Sequence, residues 1–268
     1  MLVVAALVIG LGYAAYHAYQ LLTATPPPPP GCDAGTSAQT FSFDTDQAAI
    51  AATIAGVAER RHLPRHALTI AYATALQESD LENLDYGDRD SVGVFQQRPS
   101  QGWGTTAEIE NPVYATTRFF EALVQVPRYT RIAIDTAAQD VQHSADGSAY
   151  GQYDYLAGQL SGYFTGSPPR AVWCWYTPTA TQRADVSAAK RGLQATLGPV
   201  RVTTDRSAKM VVSAQRAESW TVAIWLVTHA QQYQISYVQY AGYQWKAETG
   251  SMGWQRDPSS ATGSIVAG

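Results

Sequence analysis

The sequence predicts an α+β protein in which a mainly helical domain is preceded by an N-terminal transmembrane helix and followed by a small α+β domain. Three observations support this prediction. Apolar residues recur at helical spacing between residues 43 and 165, strand-like alternation appears later, as in 235–240, and residues 2–22 are almost wholly apolar. The chain has 268 residues, 46% of them hydrophobic, which is enough for one large domain or two small ones.

Residues 1–22 are interpreted as a transmembrane anchor or signal segment. About 20 apolar residues span a bilayer as a helix, and Tyr13, Tyr16 and Tyr19 lie where an interfacial aromatic belt would form. No Lys or Arg precedes Arg60, whereas a cleavable signal normally begins with one. An uncleaved anchor is therefore favoured, with a cleaved signal peptide as the alternative.

The proline run at 26–30 predicts a stiff, extended linker over residues 23–42. The helical domain is then assigned to residues 43–180. Its first helix can be capped by residues 44–46, and its second opens at Pro64 and runs to Glu78. A short β element is expected at 92–96, between this second helix and those that follow.

Residues 181–258 are assigned to a small α+β accessory domain. It is predicted to contain an amphipathic helix at 220–233, with a hairpin over 235–246 that turns at Ala241-Gly242. Residues 259–268 are expected to form a disordered tail. The accessory domain weakly resembles a small domain attached to other exported bacterial wall proteins. Its single histidine, His229, cannot supply a multi-histidine zinc site.

Charge and cysteine content exclude several function classes. The formal net charge is −4, so the basic surface typical of nucleic-acid binding is not expected. Cys32 and Cys174 are the only cysteines and form no Cys-x-x-Cys motif, so no metal site and no cofactor are predicted. In an exported protein the two cysteines are expected to form one disulfide; two separate buried thiols are the alternative.

Glu78 is the candidate catalytic residue. It ends an apolar helix and precedes a polar, acidic turn. A carboxylate at the wall of a cleft loses solvation, which favours its protonated form and allows it to act as a general acid. A solvated glutamate at a helix end is the alternative interpretation of the same position.

The residues around Glu78 resemble a known family. The pair Glu78-Ser79, followed by Gly93-Val94-Phe95-Gln96, resembles the signature of the lysozyme-like superfamily of soluble lytic transglycosylases. The longer segments 84–91 and 95–104 resemble a subgroup of exported bacterial cell-wall proteins, and the likeness covers about residues 45 to 160. It implies cleavage of the MurNAc-GlcNAc bond of peptidoglycan glycan strands, with Glu78 as general acid and then base.

The same resemblance suggests substrate-binding residues. Gln96 matches a position that lines the cleft, Gln97 follows it, and Trp103 offers a ring on which a sugar can stack. Ser79 either supports the local geometry or caps the helix. The Ala-Tyr-Asn-Gly segment of the superfamily is not evident, and Gln139 or Gln142 is expected to take the place of its tyrosine.

Three aspartates leave alternatives open. Asp85, Asp88 or Asp90 can act as a second carboxylate in an inverting hydrolase. The same cluster can bind calcium or form a solvated turn paired with Arg89.

The expected function is therefore a lytic transglycosylase, with a hydrolytic muramidase or a catalytically silent glycan-binding scaffold as alternatives. The expected location is extracytoplasmic, with the N-terminal helix in the bacterial cell membrane or the protein secreted. The partners are glycan strands and the membrane, not nucleic acid.

Overall fold

The computed structural model describes residues 28–143, 148–179, 183–213, 219–260 and 263–268, together with Tyr13, Tyr16 and Tyr19. Within these residues the chain is α+β, as predicted, with helices packed against two antiparallel sheets. The helices are α1 (Thr45–Arg60), α2 (Arg65–Ser79), α3 (Thr106–Ile109), α4 (Pro112–Leu123), α5 (Ile134–Gln142), α6 (Ser148–Gly151), α7 (Asp154–Tyr163), α8 (Val186–Leu197), α9 (Ser219–Thr228) and α10 (Ala230–Tyr233). The strands are β1 (Gly31–Gly35), β2 (Thr40–Phe43), β3 (Val172–Trp175), β4 (Arg201–Thr204), β5 (Met210–Ser213), β6 (Tyr237–Tyr240), β7 (Tyr243–Lys246), β8 (Gln255–Arg256) and β9 (Ile265–Ala267). Two 3₁₀ helices cover Pro99–Gln101 and Ala247–Met252.

The prediction of an N-terminal transmembrane helix is wrong for the part of the chain that the structure describes. No helix there is both long and apolar enough to cross a membrane. The longest, α1, has 16 residues, or about 24 Å of helix, against about 30 Å of bilayer core. Most of the predicted span, 1–22, lies outside the described residues; Tyr13, Tyr16 and Tyr19 are helical and exposed.

Helices α1 and α2 form where the sequence predicts them. The Asp44 side chain accepts from the Gln47 backbone N–H, and the Gln47 side chain accepts from the Asp44 N–H, so a capping box starts α1. Pro64 precedes α2, whose residues from Ala67 to Leu76 are all buried. Helix α2 is therefore a core element whose last turn, which contains Glu78, reaches the surface.

Residues 31–35 and 40–42 of the expected linker instead belong to a three-stranded sheet of order β2-β1-β3, while 23–27 lie outside the described residues. Strand β1 pairs antiparallel with β2 and with β3, and Cys32 lies opposite Cys174. These cysteines form the predicted disulfide, which links positions 142 residues apart. The disulfide indicates an oxidising, extracytoplasmic environment.

The residues expected to be a disordered tail contain a strand inside the second sheet. Its order is β4-β5-β9-β6-β7-β8, so β9 lies between β5 and β6 and pairs antiparallel with both. Ile265 and Ala267 are buried, at 1% and 0% exposure. The end of the chain thus joins the two halves of the sheet.

Helix α9 connects the helical layer to the sheets. It packs against α1, α8, β3 and β6, and every residue of it except Trp220 is buried. The prediction of an amphipathic helix at 220–233 is therefore wrong over α9, because a helix that is enclosed on all sides is apolar all round. The buried residues of the two predicted domains form one continuous core.

Candidate active site

Glu78 lies in the last turn of α2, where the chain leaves the core. The helix ends because Asp80 adopts the left-handed conformation, with φ of 55°, and its backbone N–H bonds to the Ala75 and Leu76 carbonyls. Leu81 also has positive φ and returns to the core with 0% exposure. This turn leaves Glu78 half-buried beside the following loop.

Two side chains hold the Glu78 carboxylate. The Tyr150 hydroxyl donates to Oε1 at 2.7 Å, and the Gln142 amide donates to the same oxygen at 3.2 Å. Oε2 accepts no hydrogen bond from the described part of the chain. The carboxylate is thus oriented through one oxygen, and the other remains available.

Gln142 also links Glu78 to the loop across the cleft. The same amide donates to the Phe95 carbonyl at 2.7 Å. Phe95 itself is buried and stacks on Phe119 with ring centroids 4.4 Å apart. The stacked rings of Phe95 and Phe119 fix the loop. The Phe95 carbonyl then positions the Gln142 amide that bonds to the Glu78 carboxylate.

Ser79 ties α2 to the same loop. Its hydroxyl donates to the Val94 carbonyl at 2.8 Å and lies 3.1 Å from the Ala75 carbonyl, one turn back in the helix. The side chain is 7% exposed. Of the two roles left open by the sequence, support of local geometry fits the bond to Val94, because that bond joins the helix to another segment. Its burial does not favour the substrate contact that the resemblance suggests.

The loop from Gly93 to Gln97 has little freedom. Gly93 has φ of 77°, and a Cβ there would lie 2.8 Å from the Ile109 carbonyl oxygen, so glycine is required. Gln96 also has positive φ, and its amide donates to the Tyr86 and Gly93 carbonyls. The short β element predicted at 92–96 is observed as a bridge between Val92 and Gln97.

A polar cleft of about 310 Å³ opens beside Glu78. It is lined by Glu78, Asp88, Ser91, Gln96, Gln97, Arg98, Gln101, Trp103, Gln142 and His143. The structure therefore brings Gln96, Gln97 and Trp103 to the cleft with Glu78. Gln97 is only 1% exposed and donates to the Ala115 carbonyl, so it belongs to the cleft wall. Gln139 is half-buried in α5 and is not among the lining residues.

The three candidate aspartates differ in their surroundings. Asp90 accepts hydrogen bonds from the Ser100 backbone and hydroxyl and from Arg98 Nε at 2.7 Å, and these donors hold the pKa of its carboxyl far below its usual range. Asp85 is exposed and does not line the cleft. Asp88 lines it, with a side chain 90% exposed. Asp88 is thus the one of the three that borders the cleft, and its carboxylate lies 3.9 Å from Arg89 Nε.

The calcium alternative has no geometric support in the described ranges. No group of three or more His, Cys, Asp or Glu side chains there is arranged to hold a metal ion. Instead, Asp90 binds Arg98 and Ser100, which joins the end of the acidic turn to the first 3₁₀ helix.

Sequence reasoning missed Tyr150. The sequence predicts Gln139 or Gln142 in place of the superfamily's tyrosine, whereas the tyrosine that bonds to Glu78 lies in Ala149-Tyr150-Gly151. This tripeptide retains Ala, Tyr and Gly and lacks Asn, so the partial match was the available signal. Gln142, considered with Gln139 as a substitute for that tyrosine, contacts Glu78 together with Tyr150.

No protein-family model matches the chain, and no curated protein sequence matches it.

Proposed function

We propose that the protein is a lytic transglycosylase that cleaves the MurNAc-GlcNAc bond of peptidoglycan glycan strands. The observation that carries the proposal is the Glu78 carboxylate, which borders a polar cleft and is held on one oxygen by Tyr150 and Gln142. An oriented carboxylate with one unoccupied oxygen has the geometry that a general acid requires.

The two donors assign roles to the two carboxylate oxygens. Oε1 accepts from Tyr150 and Gln142, so the acidic proton resides on Oε2. In the first step Oε2 gives this proton to the glycosidic oxygen as the bond to the anomeric carbon breaks, and the N-acetyl group of the sugar stabilises that carbon. In the second step the ionised Glu78 takes the proton of the C6 hydroxyl, whose oxygen attacks the same carbon and closes a 1,6-anhydro ring.

The rest of the cleft fits an amide-bearing glycan. Gln101 offers an exposed side-chain amide, which can both donate to and accept from N-acetyl and hydroxyl groups. The NH2 groups of Gln96 and Gln142 are already bonded within the protein, so these two residues offer their amide oxygens as acceptors. Trp103 is half-buried in the wall and offers a ring for stacking. The disulfide is consistent with work outside the cytoplasm, where this substrate lies.

Asp88 favours a second candidate function. Asp88 borders the same cleft with an exposed side chain, and a second carboxylate can activate water in place of the C6 hydroxyl. The protein would then be a hydrolytic muramidase that releases reducing ends.

One experiment separates these functions. Purified protein, Glu78→Gln and Asp88→Asn are each incubated with peptidoglycan, and the released fragments are analysed by mass spectrometry. We expect 1,6-anhydromuramyl products that disappear in Glu78→Gln and persist in Asp88→Asn. Reducing ends that depend on both carboxylates would establish the hydrolase. Binding of glycan without release by any form would favour a silent glycan-binding protein.

A further inference from the structure

A second hollow adjoins the cleft at Glu78. Its volume is about 300 Å³, close to the 310 Å³ of the cleft, and both lie near the lower end of the range for ligand sites. It is lined by Gln101, Gly102, Trp103, Arg118, Glu121 and Ala122 and is called the Arg118 hollow below. Gln101 and Trp103 also line the cleft. The two hollows therefore meet at these two side chains and together form a longer groove.

Trp103 is held at this junction by its neighbours. Gly102 adopts the left-handed conformation, with φ of 81°, and ends the 3₁₀ helix Pro99–Gln101. The Tyr114 hydroxyl donates to the Trp103 carbonyl at 3.3 Å, and a Cβ at Gly104 would lie 2.6 Å from that hydroxyl oxygen. The backbone of Trp103 is therefore fixed, and its half-buried side chain forms a wall common to both hollows.

The indole N–H of Trp103 is open to a ligand. Its Nε1 is neither buried nor bonded to an acceptor in the described part of the chain. A half-exposed indole offers a ring for apolar contact and one donor at its edge. A sugar ring matches this combination, because its CH groups pack against an aromatic ring while its hydroxyl oxygens accept hydrogen bonds.

An ion pair on α4 supplies the polar groups of the Arg118 hollow. Arg118 Nη1 donates to Glu121 Oε2 at 2.8 Å, and the two side chains are 40% and 41% exposed. Arg61 Nη1 lies 3.6 Å from the other Glu121 oxygen, so the carboxylate is held from both sides. Arg118 Nε is buried, whereas Nη2 is neither buried nor bonded within the described part of the chain. A ligand in the hollow can thus accept from Nη2 beside a carboxylate.

The charges of this lining favour a neutral ligand with hydroxyl or amide groups. Among the described residues, Arg118 and Glu121 are the only charged ones that line the hollow, and each offsets the other. An anion would lie close to Glu121, and a cation would lie close to Arg118. A hydroxyl or amide group can instead accept from the guanidinium and donate to the carboxylate.

We propose that the Arg118 hollow is a second sugar-binding site, which holds an N-acetylhexosamine unit of a glycan that continues into the cleft at Glu78. The Trp103 ring packs against the glycan where the hollows meet, and the exposed Gln101 amide is available to an N-acetyl group there. Arg118 Nη2 and the Glu121 carboxylate bind hydroxyl or amide groups of the unit beyond Trp103. The use of this site to place a strand for cleavage rests on the proposed function. In that role it makes the protein prefer long strands to short fragments.

Isothermal titration of the full chain carrying Glu78→Gln tests the proposal. The ligands are chitobiose and chitohexaose, whose units are all neutral N-acetylglucosamine, and the substitution prevents turnover during the titration. We expect the hexasaccharide to bind at least about tenfold more tightly than the disaccharide, because only the longer chain occupies both hollows. Equal affinities, or no binding of the hexasaccharide, would overturn the proposal.

Variants in the same background locate the binding. Arg118→Met keeps an unbranched apolar side chain and removes the donor, so the ratio of the two affinities should fall towards one. Ala122→Leu fills the hollow without a change of charge and should have the same effect; it decides the question if a thermal melt shows that Arg118→Met does not fold. Arg131→Met removes an exposed arginine outside both hollows and should leave the ratio unchanged. An unchanged ratio in a folded Arg118→Met, or an equal fall in Arg131→Met, would reject the site.

Cleavage is scored separately, by release of 1,6-anhydromuramyl products from long glycan strands. Binding that depends on Arg118, without cleavage by the unaltered protein, would retain the second sugar site and reject the transglycosylase. Cleavage that depends on Glu78, with the same ratio of affinities in Arg118→Met, would do the opposite.

Discussion

The hydroxyl of Tyr150 donates a 2.7 Å hydrogen bond to Oε1 of Glu78 across 72 residues of sequence. Tyr150 is 1% exposed, so its ring is fixed by the core and the hydroxyl cannot turn away from the carboxylate. Gln142 approaches the same oxygen from the end of α5. The carboxylate is therefore oriented by two elements that lie far from α2 in the sequence.

Tyr150→Phe should lower the rate of glycan cleavage by about one to two orders of magnitude. The ring and its packing remain, while a hydrogen bond to a charged group, worth about 1.5–3 kcal/mol, is lost. Initial rates on peptidoglycan and a thermal melt measure the two effects separately. Tyr163→Phe is the matched control, because its hydroxyl bonds Gln159 away from the cleft. Equal loss of rate in both variants would contradict a specific role for Tyr150.

The disulfide should stabilise the whole fold. Cys32 and Cys174 close a loop over 142 positions, for which the chain-entropy model gives about 5 kcal/mol. Reduction should lower the melting temperature, and Cys32→Ala with Cys174→Ala should show the lower value without reductant. Adding reductant to that double variant provides the control and should cause no further shift. An unchanged melting temperature after complete reduction would reject this prediction.

The sequence predicts local features of this fold better than distant pairings. The Asp44 cap, the entry at Pro64 and the hairpin at 237–246 each depend on neighbouring residues, and each is observed. Strand β1 has the sequence Gly-Cys-Asp-Ala-Gly, which shows no strand pattern. It forms between β2, which follows it closely, and β3, which lies more than 135 residues later. The pairing with β3 could not be predicted from neighbouring residues.

The same distinction applies to the site. Glu78 and the loop at 93–97 are close in sequence, and their likeness to a known motif identified them together. Tyr150 lies 72 positions after Glu78 and meets it through the packing of α6 against α2. The sequence leaves Gln139 and Gln142 as alternatives because position along a helix does not reveal which of two nearby amides faces a carboxylate that belongs to another helix.

His229 should make stability depend on pH. Its folded pKa of about 4 lies below the ordinary histidine value of 6.5 because burial disfavours the charged ring. Between these values the unfolded chain binds a proton that the folded chain does not. The free energy of unfolding should therefore fall as pH drops from 6.5 towards 4, by about 3 kcal/mol in total.

Chemical denaturation of the protein and of His229→Gln at several pH values between 4 and 7 measures this effect. Glutamine does not titrate, so the difference between the two proteins removes contributions shared by both, including those of the carboxylates. We expect a shallower pH slope for the variant. Identical slopes would show that His229 does not titrate as its burial requires.

Strand β9 should contribute to the core although it lies at the end of the sequence. Ile265 is 1% exposed, whereas Val266, on the opposite face, is half-buried. Ile265→Ala should cost about 2–5 kcal/mol, since a buried aliphatic side chain leaves a cavity. Val266→Ala removes a side chain from the same strand at a less buried position and should cost clearly less. Denaturant midpoints of both variants provide the measurement, and a frayed tail would leave both midpoints at the value of the unaltered protein.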